Sequence, residues 1–416
     1  MLEKISLLKK DEFVKGSLIL FIMLNIFNFL NWIFHFSMAR MLGAADYGIL
    51  AVLMSVGYVF GISAEAIRNV ISRYTSKLNS KKEYGKMKNL LKRSFRKGFK
   101  ISFFIFIVYL FLALWLSSFL DIEFLLLGLV GLLIFSDFLF APIIRGILQG
   151  TKQFKKLGIS MIIEASIKLL VGIFLVYLGF RVYGAIGAVI FSIFVSIFIS
   201  LFFLKTIIKS KEKRFKTEKI YSYSLPFFIS VISITLIFSL DVIIAKRFFT
   251  AEIVGKYAIA SLLGKMIFWG TAPIAQAMFP LSSESFENKK RTRNLLYKAA
   301  IFLFFLCLAA VIVFTLFPKF IISLLFGSQY TDISKILVFM GISFSILAFT
   351  NLIVVYALSK NKSSFSFALP IFAIIEIVLL SVFSASILQY ALAFLFSNLL
   401  MFFGTIILIK NETSRT

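Results

Sequence analysis

The 416-residue chain is 60% hydrophobic, with 53 phenylalanines, only 6 prolines and a formal net charge of +26. A soluble globule of this length cannot hide so much apolar surface, because much of its exterior must be polar. One cysteine, Cys307, and one histidine, His35, exclude a disulfide scaffold and a Cys/His metal cluster.

The N-terminal MLEKISLLKKDEFVKGS is charged and has no small-residue cleavage site before the first apolar block. It reads as a retained cytoplasmic end, not a cleaved signal. Apolar blocks follow at 16–39, 46–67, 101–120, 122–144, 157–180, 182–204, 222–245, 255–280, 299–318, 333–358, 363–384 and 387–409. Each is near the ~20 residues that cross a ~30 Å hydrocarbon layer. The last two are nearly fused and divide at SASILQY. The pattern predicts an all-α polytopic membrane protein with twelve transmembrane helices, and an even count puts both termini on one side.

Basic residues decide which side that is. With the N-terminus cytoplasmic, inside segments hold 36 Lys and Arg, outside loops hold 7, and Lys168 and Lys265 lie within spans. This bias places both termini in the cytoplasm of a cell-membrane protein and accounts for the basic charge without nucleic acid. Inside basic loops also meet anionic lipid head groups. Outside loops are roughly 5–15 residues, too short for a folded element. The longest inside segment, RNVISRYTSKLNSKKEYGKMKNLLKRSFRKGFK, continues helix 2, leads into helix 3 and reads as a solvated basic face.

An internal repeat divides the chain. ARMLGAADYGILAVL (Ala39 to Leu53) aligns with KRFFTAEIVGKYAIASL (Lys246 to Leu262), matching Arg40 with Arg247, Ala44 with Ala251, Gly48 with Gly255 and Ala51 with Ala258 at an offset of 207. YTSKLNSKKEYGKMKNLLKRS meets LSSESFENKKRTRNLLYKAA at nearly the same offset. The halves are 1–208 and 209–416, each a six-helix bundle. An even number of spans per half makes the repeats parallel, related by an axis along the membrane normal, as in alternating-access carriers. Gly43 and Gly48 let the chain reverse and helix 2 pack closely.

Charges within spans are few. At the bilayer centre one costs at least about 2.5–3.5 kcal/mol on insertion scales, so it pairs or faces a wet cavity. Glu164 and Lys168 share one face of helix 5 and read either as a self-neutralised pair or as part of a site. Lys168 lies ~16 Å and Lys265 ~15 Å deep at ~1.5 Å per residue. Lys265 has Ser261 and Trp269 one turn away but no acid. It needs a partner in space or an anionic ligand, and the ligand-facing reading is preferred. Asp241, near the outer end of helix 7, pairs with Lys246 or Arg247 or acts as a coupling group. Asp137 lies in helix 4. Glu376, mid-depth in helix 11, is the best candidate for a coupling-ion or proton site. Glu65 and Arg68 close helix 2 on the inside, and His35, beside Trp32, reads as interfacial. The cations Arg40, Arg68, Arg145, Lys168, Arg247 and Lys265 suit an anionic cargo, since guanidinium and ammonium groups match phosphate or pyrophosphate. Glu376, Asp241, Glu164 and Asp137 are the candidate coupling or pairing acids. No metal or cofactor is expected.

ARMLGAADYGILAV resembles the helix 1–2 turn of polysaccharide-biosynthesis membrane proteins, the Wzx-like oligosaccharide flippases of the MOP (MATE-like) superfamily. Their pattern is roughly A-R-x-L-G-x-x-x-Y-G-x-x-A, and Arg40, Leu42, Gly43, Tyr47, Gly48 and Ala51 fit it. IRNVISRYTS (Ile67 to Ser76) resembles the stretch after helix 2. The run from Arg145 to Ile190 resembles the helix 4–5 junction through helix 6. SLPFFISVISITLIFSLDVIIAKRFFTAEIVGKYAIASLLGKMI resembles helices 7 and 8, with Asp241 and the G-x-Y-A at Gly255 to Ala258. The resemblance covers most of the chain. It implies two bundles around a V-shaped central cavity. It further implies flipping of an oligosaccharide linked to an undecaprenyl or dolichyl (pyro)phosphate from the cytoplasmic to the outer leaflet. The implied partners are the lipid-linked oligosaccharide, membrane lipids and glycan-assembly enzymes. Twelve spans set the chain apart from the fourteen-spanning lipid II flippases, and no ligand set transfers.

A MATE-type multidrug/cation antiporter is the second reading, disfavoured by the two mid-depth lysines. A major-facilitator carrier shares the 6+6 plan, but its Gly/Asp/Arg-rich helix 2–3 signature is absent after Arg68. A polymerase or ligase would need an outside catalytic loop and a constellation such as His/Asp/Ser.

Overall fold

The computed structural model describes residues 12–137, 140–215, 225–287, 293–360 and 364–413, and every regular element among them is helical. The first element, Glu12–Ser80, is broken at Gly43 (φ 75°, ψ 176°) into α1 (12–42) and α2 (44–80). A side chain at that backbone geometry is strained, so only glycine sits there readily. Then come α3 (Tyr84–Leu120), α4 (Phe124–Asp137), α5 (Phe140–Gly150), α6 (Phe154–Leu175), α7 (Arg181–Phe203), α8 (Lys205–Lys209), α9 (Leu225–Phe248) and α10 (Ala251–Glu287). The chain ends with α11 (Arg293–Leu316), α12 (Pro318–Leu325), α13 (Ser334–Ser359), α14 (Pro370–Val382) and α15 (Ile387–Thr413).

Among the described residues, ten helical stretches are long and apolar enough, by length and composition, to cross a membrane. Two are too long for a single crossing. Ile22–Gly61 has 40 residues and Phe154–Phe203 has 50. At 1.5 Å per residue these reach about 60 and 75 Å, against a hydrocarbon core of ~30 Å. Each breaks at a positive-φ glycine, Gly43 or Gly179, so each is two crossings. The predicted twelve are recovered among the described residues.

The basic segment after helix 2 is helical as expected, with α2 running to Ser80 and α3 starting at Tyr84. One expectation fails. The loop between the ninth and tenth crossings is not bare, because it holds α12 and a 3-10 turn, Ser328–Ile333. Pro318, at the start of α12, has the fixed φ that suits a first helical turn. Residues 1–11 of the N-terminal end and 288–292 of the second repeat segment lie outside the described residues.

The chain forms two compact units, residues 1–43 with 60–218, and residues 44–59 with 219–416. In the first, α6 packs on α7 and α3 on α4, and α4 also meets α7. Its core at one end joins Ile71, Leu78, Met87, Leu90, Ile143, Ile147 and Leu157. In the second unit, α13 packs on α10, α11 and α15, and α9 packs on α14. Residues 44–59 join that unit at a backbone crossing. A Cβ on Gly48 would lie 2.3 Å from the Ala251 carbonyl oxygen, and one on Gly255 would lie 1.8 Å from the Ala44 carbonyl oxygen. The repeated motif therefore packs against its own copy, and the small residues at its crossing allow main chain to touch main chain. Many phenylalanines face outward, including Phe104, Phe111, Phe198 and Phe305. Apolar exposure on this scale is what lipid contact requires.

Candidate functional site

The buried charges sit in two clusters, one in each unit. In the second unit, Phe238 and Asp241 lie one turn apart on α9, and Ser261 and Lys265 lie one turn apart on α10. The two helices pack together. Lys265 Nζ donates to Asp241 Oδ1 at 3.1 Å, and Ser261 Oγ donates to Asp241 Oδ2 at 2.5 Å. Tyr390 on α15 donates its hydroxyl to the Asp241 main-chain carbonyl at 2.7 Å. The ammonium of Lys265 also lies over Phe238 and Phe344, 5.0 and 5.6 Å from their ring centroids. Asp241 is 0% exposed and Lys265 6%.

At 3.1 Å, the Asp241–Lys265 attraction is on the order of 5 kcal/mol at an effective dielectric of ~20. Dehydrating two ions offsets several kcal/mol for each, so such a pair contributes little net stability while being costly to break. Glu376 on α14 is also fully buried, and neither of its carboxylate oxygens has a hydrogen-bond partner among the described residues. It is within electrostatic reach of Asp241 and Lys265. A bare buried carboxylate is expensive in its ionised form.

In the first unit, Arg145 on α5 meets Glu164 on α6, Nη2 to Oε2 at 2.5 Å. Lys168, one turn further along α6, donates to Asn31 Oδ1 on α1 and lies 4.7 Å from the centroid of Phe34. Asn31 is itself anchored by its amide nitrogen, which donates to the Phe27 carbonyl at 2.8 Å.

The two clusters correspond. At the repeat offset of 207, Asn31 maps to Phe238 and Phe34 maps to Asp241. In both units a buried lysine from a later helix rests on the first helix of its half. It contacts one polar and one phenyl side chain three residues apart, with their order exchanged.

These contacts correct several sequence-based pairings. Glu164 takes Arg145 as its ion-pair partner, which sets aside the reading of Glu164 and Lys168 as a self-neutralised pair. Asp241 takes Lys265 and Ser261, where Lys246 or Arg247 was expected. Lys265 accordingly has its acid in space, across a helix interface. His35 is buried against Phe34, ring centroids 5.6 Å apart. Arg145 lies within α5, not in a loop. Of the other candidates, Arg40 and Arg247 are exposed in their own units and Arg68 is half-buried on α2. Asp137 is the last residue of α4. The side chains of Asp137 and Glu65 lie outside the described residues.

Sequence reading missed Asn31, Phe34, Phe238, Phe344 and Tyr390. Asn31 carried a usable signal, as one of three asparagines, with Asn25 and Asn28, spaced three residues apart in an apolar helix. The aromatic residues carried none, being lost among the other phenylalanines. Among the described residues no group of three or more His, Cys, Asp or Glu is placed to hold a metal ion.

The sequence profile of a family described as polysaccharide biosynthesis protein matches residues 37–335. Among solved structures, an inward-facing multidrug resistance MATE family transporter of the MOP superfamily aligns at TM-score 0.75 and 15% identity, covering 95% of this chain and 99% of its own. A eukaryotic MATE transporter aligns at TM-score 0.67 and 12% identity, covering 98% and 97%. A MOP superfamily transporter from Pyrococcus furiosus, described as having a binding pocket of reversed polarity, aligns at TM-score 0.59 and 15% identity, covering 97% and 96%. A search of curated proteins gives no match. At these identities the structural likeness is one of fold. The profile match covers well over half of the chain, which therefore belongs to the Wzx-like polysaccharide biosynthesis protein family and has the fold of the MOP superfamily's MATE transporters.

Proposed function

We propose that this membrane transporter flips a lipid-linked oligosaccharide, carried on a prenyl pyrophosphate, from the cytoplasmic to the outer leaflet of the cell membrane. The observation that carries this reading is the polysaccharide-biosynthesis profile match on a transporter fold. The 36-to-7 distribution of basic residues supports cytoplasmic termini. The halves 1–208 and 209–416 would work by alternating access, and the cycle needs no covalent chemistry.

Lys168 and Lys265 are the proposed cargo cations. Each is buried, and each donates to a group that a phosphate oxygen can replace as acceptor. For Lys265 that group is Asp241. Pyrophosphate would take the ammonium, and the displaced Asp241 carboxylate would keep Ser261 as donor and accept a proton. Glu376 is the proposed second proton holder, being buried without a hydrogen-bond partner among the described residues. Arg40, Arg68, Arg145 and Arg247 are candidate rim cations, and glycan-assembly enzymes are candidate partners. Head-group translocation in proteoliposomes tests the assignment. Lys168→Ala and Lys265→Ala should each abolish transport while the protein stays folded and inserted. Full transport by both variants would refute it.

A MATE-type multidrug/cation antiporter is the second reading, favoured by the fold match to a multidrug resistance transporter. Cation efflux from the same vesicles, with no head-group translocation, would select it.

A further inference from the structure

A second charged site lies at one end of the first unit. Asn89, Lys92, Arg93 and Arg96 recur at helical spacing and share one face of α3. The chain after α8 lies along that face. Lys213 N–H donates to the Gly85 carbonyl at 3.1 Å. Phe215 N–H donates to Asn89 Oδ1 at 3.2 Å, and Arg93 returns a bond to the Phe215 carbonyl at 2.7 Å. Lys88 Nζ reaches the Ser210 carbonyl at 3.0 Å. The approach is close enough that a Cβ at Gly85 would lie 2.2 Å from the Lys211 carbonyl oxygen. Phe215 anchors the end of this strap edge-on against Tyr74, ring centroids 6.0 Å apart.

Strap and helix enclose an open cleft of about 410 Å³, within the ~300–1,000 Å³ range of small-ligand sites. Its charges do not balance. The one acid, Glu212, is already engaged, accepting from Asn89 at 2.7 Å and from Lys92 at 3.1 Å. Among the described residues, Arg93 is bonded only to a main-chain carbonyl. Arg96 and Arg214 have no hydrogen-bond or ion-pair partner among the described residues. Three guanidinium groups therefore line the cleft against a single carboxylate that already has two donors, and their planar forks match phosphate oxygens.

The height of the cleft narrows the choice of ligand. One turn beyond Arg96, the exposed surface of α3 turns apolar at Phe99, Ile101, Phe103 and Phe104, each at least half exposed. At 1.5 Å per residue, Arg96 stands only about 4.5 Å from the start of that lipid-facing belt. The cleft is thus level with lipid head groups, on the face that the basic-residue bias assigns to the cytoplasm.

We propose that Arg93, Arg96 and Arg214 bind the phosphate of an anionic lipid head group from the cytoplasmic leaflet, and that this lipid fastens the 210–215 strap to α3. The proposal rests on the membrane location of the chain and not on the nature of its cargo.

Binding to purified full-length protein in neutral detergent tests it, read by native mass spectrometry and by thermal unfolding. The probes are phosphatidylglycerol, phosphatidylcholine and inorganic phosphate. Wild type should bind phosphatidylglycerol saturably and in preference to phosphatidylcholine. The Arg96→Gln/Arg214→Gln double variant should bind it about tenfold more weakly or worse. Both side chains are exposed, so the variant should elute as wild type does, and the single variants give the same reading in smaller steps. Equal binding of the two lipids, or an unchanged preference in the variants, would overturn the proposal. Stabilisation by inorganic phosphate alone would assign the cleft to a soluble anion and overturn the lipid assignment.

Discussion

Lys265 allows the structural and functional roles of a buried ion pair to be separated. Lys265→Met keeps most of the aliphatic volume beside Phe238 and Phe344 but removes the ammonium. Asp241, 0% exposed, is then left with the Ser261 hydroxyl as its side-chain donor. The lost attraction at 3.1 Å is on the order of 5 kcal/mol at an effective dielectric of ~20. Removing the lysine also removes its own dehydration penalty, while leaving one ion buried without its partner costs about 3–5 kcal/mol in comparable cases. The double variant Lys265→Met/Asp241→Asn carries neither charge and should return to within about 1 kcal/mol of wild type. Unfolding in mixed micelles, followed by circular dichroism, measures all three proteins, and the cycle gives the coupling directly. If the pair serves cargo, the double variant is stable but transports nothing. A Lys265→Met protein within about 0.5 kcal/mol of wild type would refute the energetic reasoning. Wild-type transport by the stable double variant would refute the functional reasoning.

Two other perturbations probe different parts of the fold. Gly48→Ala and Gly255→Ala should each lower stability by about 1–3 kcal/mol or more, because the new methyl meets main chain at 2.3 or 1.8 Å and not a side chain that can turn away; unfolding midpoints of the purified variants measure this, and an unchanged midpoint would mean that the helices separate without penalty. The Glu212 carboxyl is held below the usual carboxylate range, first by the Asn89 amide and then by the Lys92 ammonium, so its contribution is complete above the ordinary value of about 4.3 and fades as pH falls through the lowered one. Hydrogen exchange at the Lys213 amide should therefore accelerate on acidification, after correction for intrinsic rates, and Glu212→Gln should flatten that dependence.

The crossings were legible because lipid imposes a one-dimensional requirement, a run of apolar residues long enough to span it. Gly43 was legible as a reversal because no other residue takes its backbone angles cheaply. The continuation of α2 to Ser80 also followed from the sequence, since the basic segment contains no proline. Ion-pair partners were much less legible. The one-turn rule linked Glu164 to Lys168, but helix packing supplied Arg145 from α5 instead. Lys265 looked alone because its acid lies on the preceding helix, and hydropathy does not encode which faces of α9 and α10 meet. The element α12 was missed for a related reason. Eight residues beginning at a proline are too few for a hydropathy window, yet enough for two turns.

The contact of Gly48 with the Ala251–Gly255 turn also bears on biosynthesis. Gly48 leaves the ribosome 207 residues before Gly255. At about 5–20 residues per second, that interval is about 10–40 s. Throughout it, residues 44–59 have been made while the main-chain surface they will cover does not yet exist. A nascent chain stalled before residue 251 would expose the Gly48 face to lipid or to the insertion machinery. A cysteine cross-linker placed beside Gly48 would report that waiting period, reacting strongly in chains arrested before residue 251 and weakly once the second copy of the motif has been made.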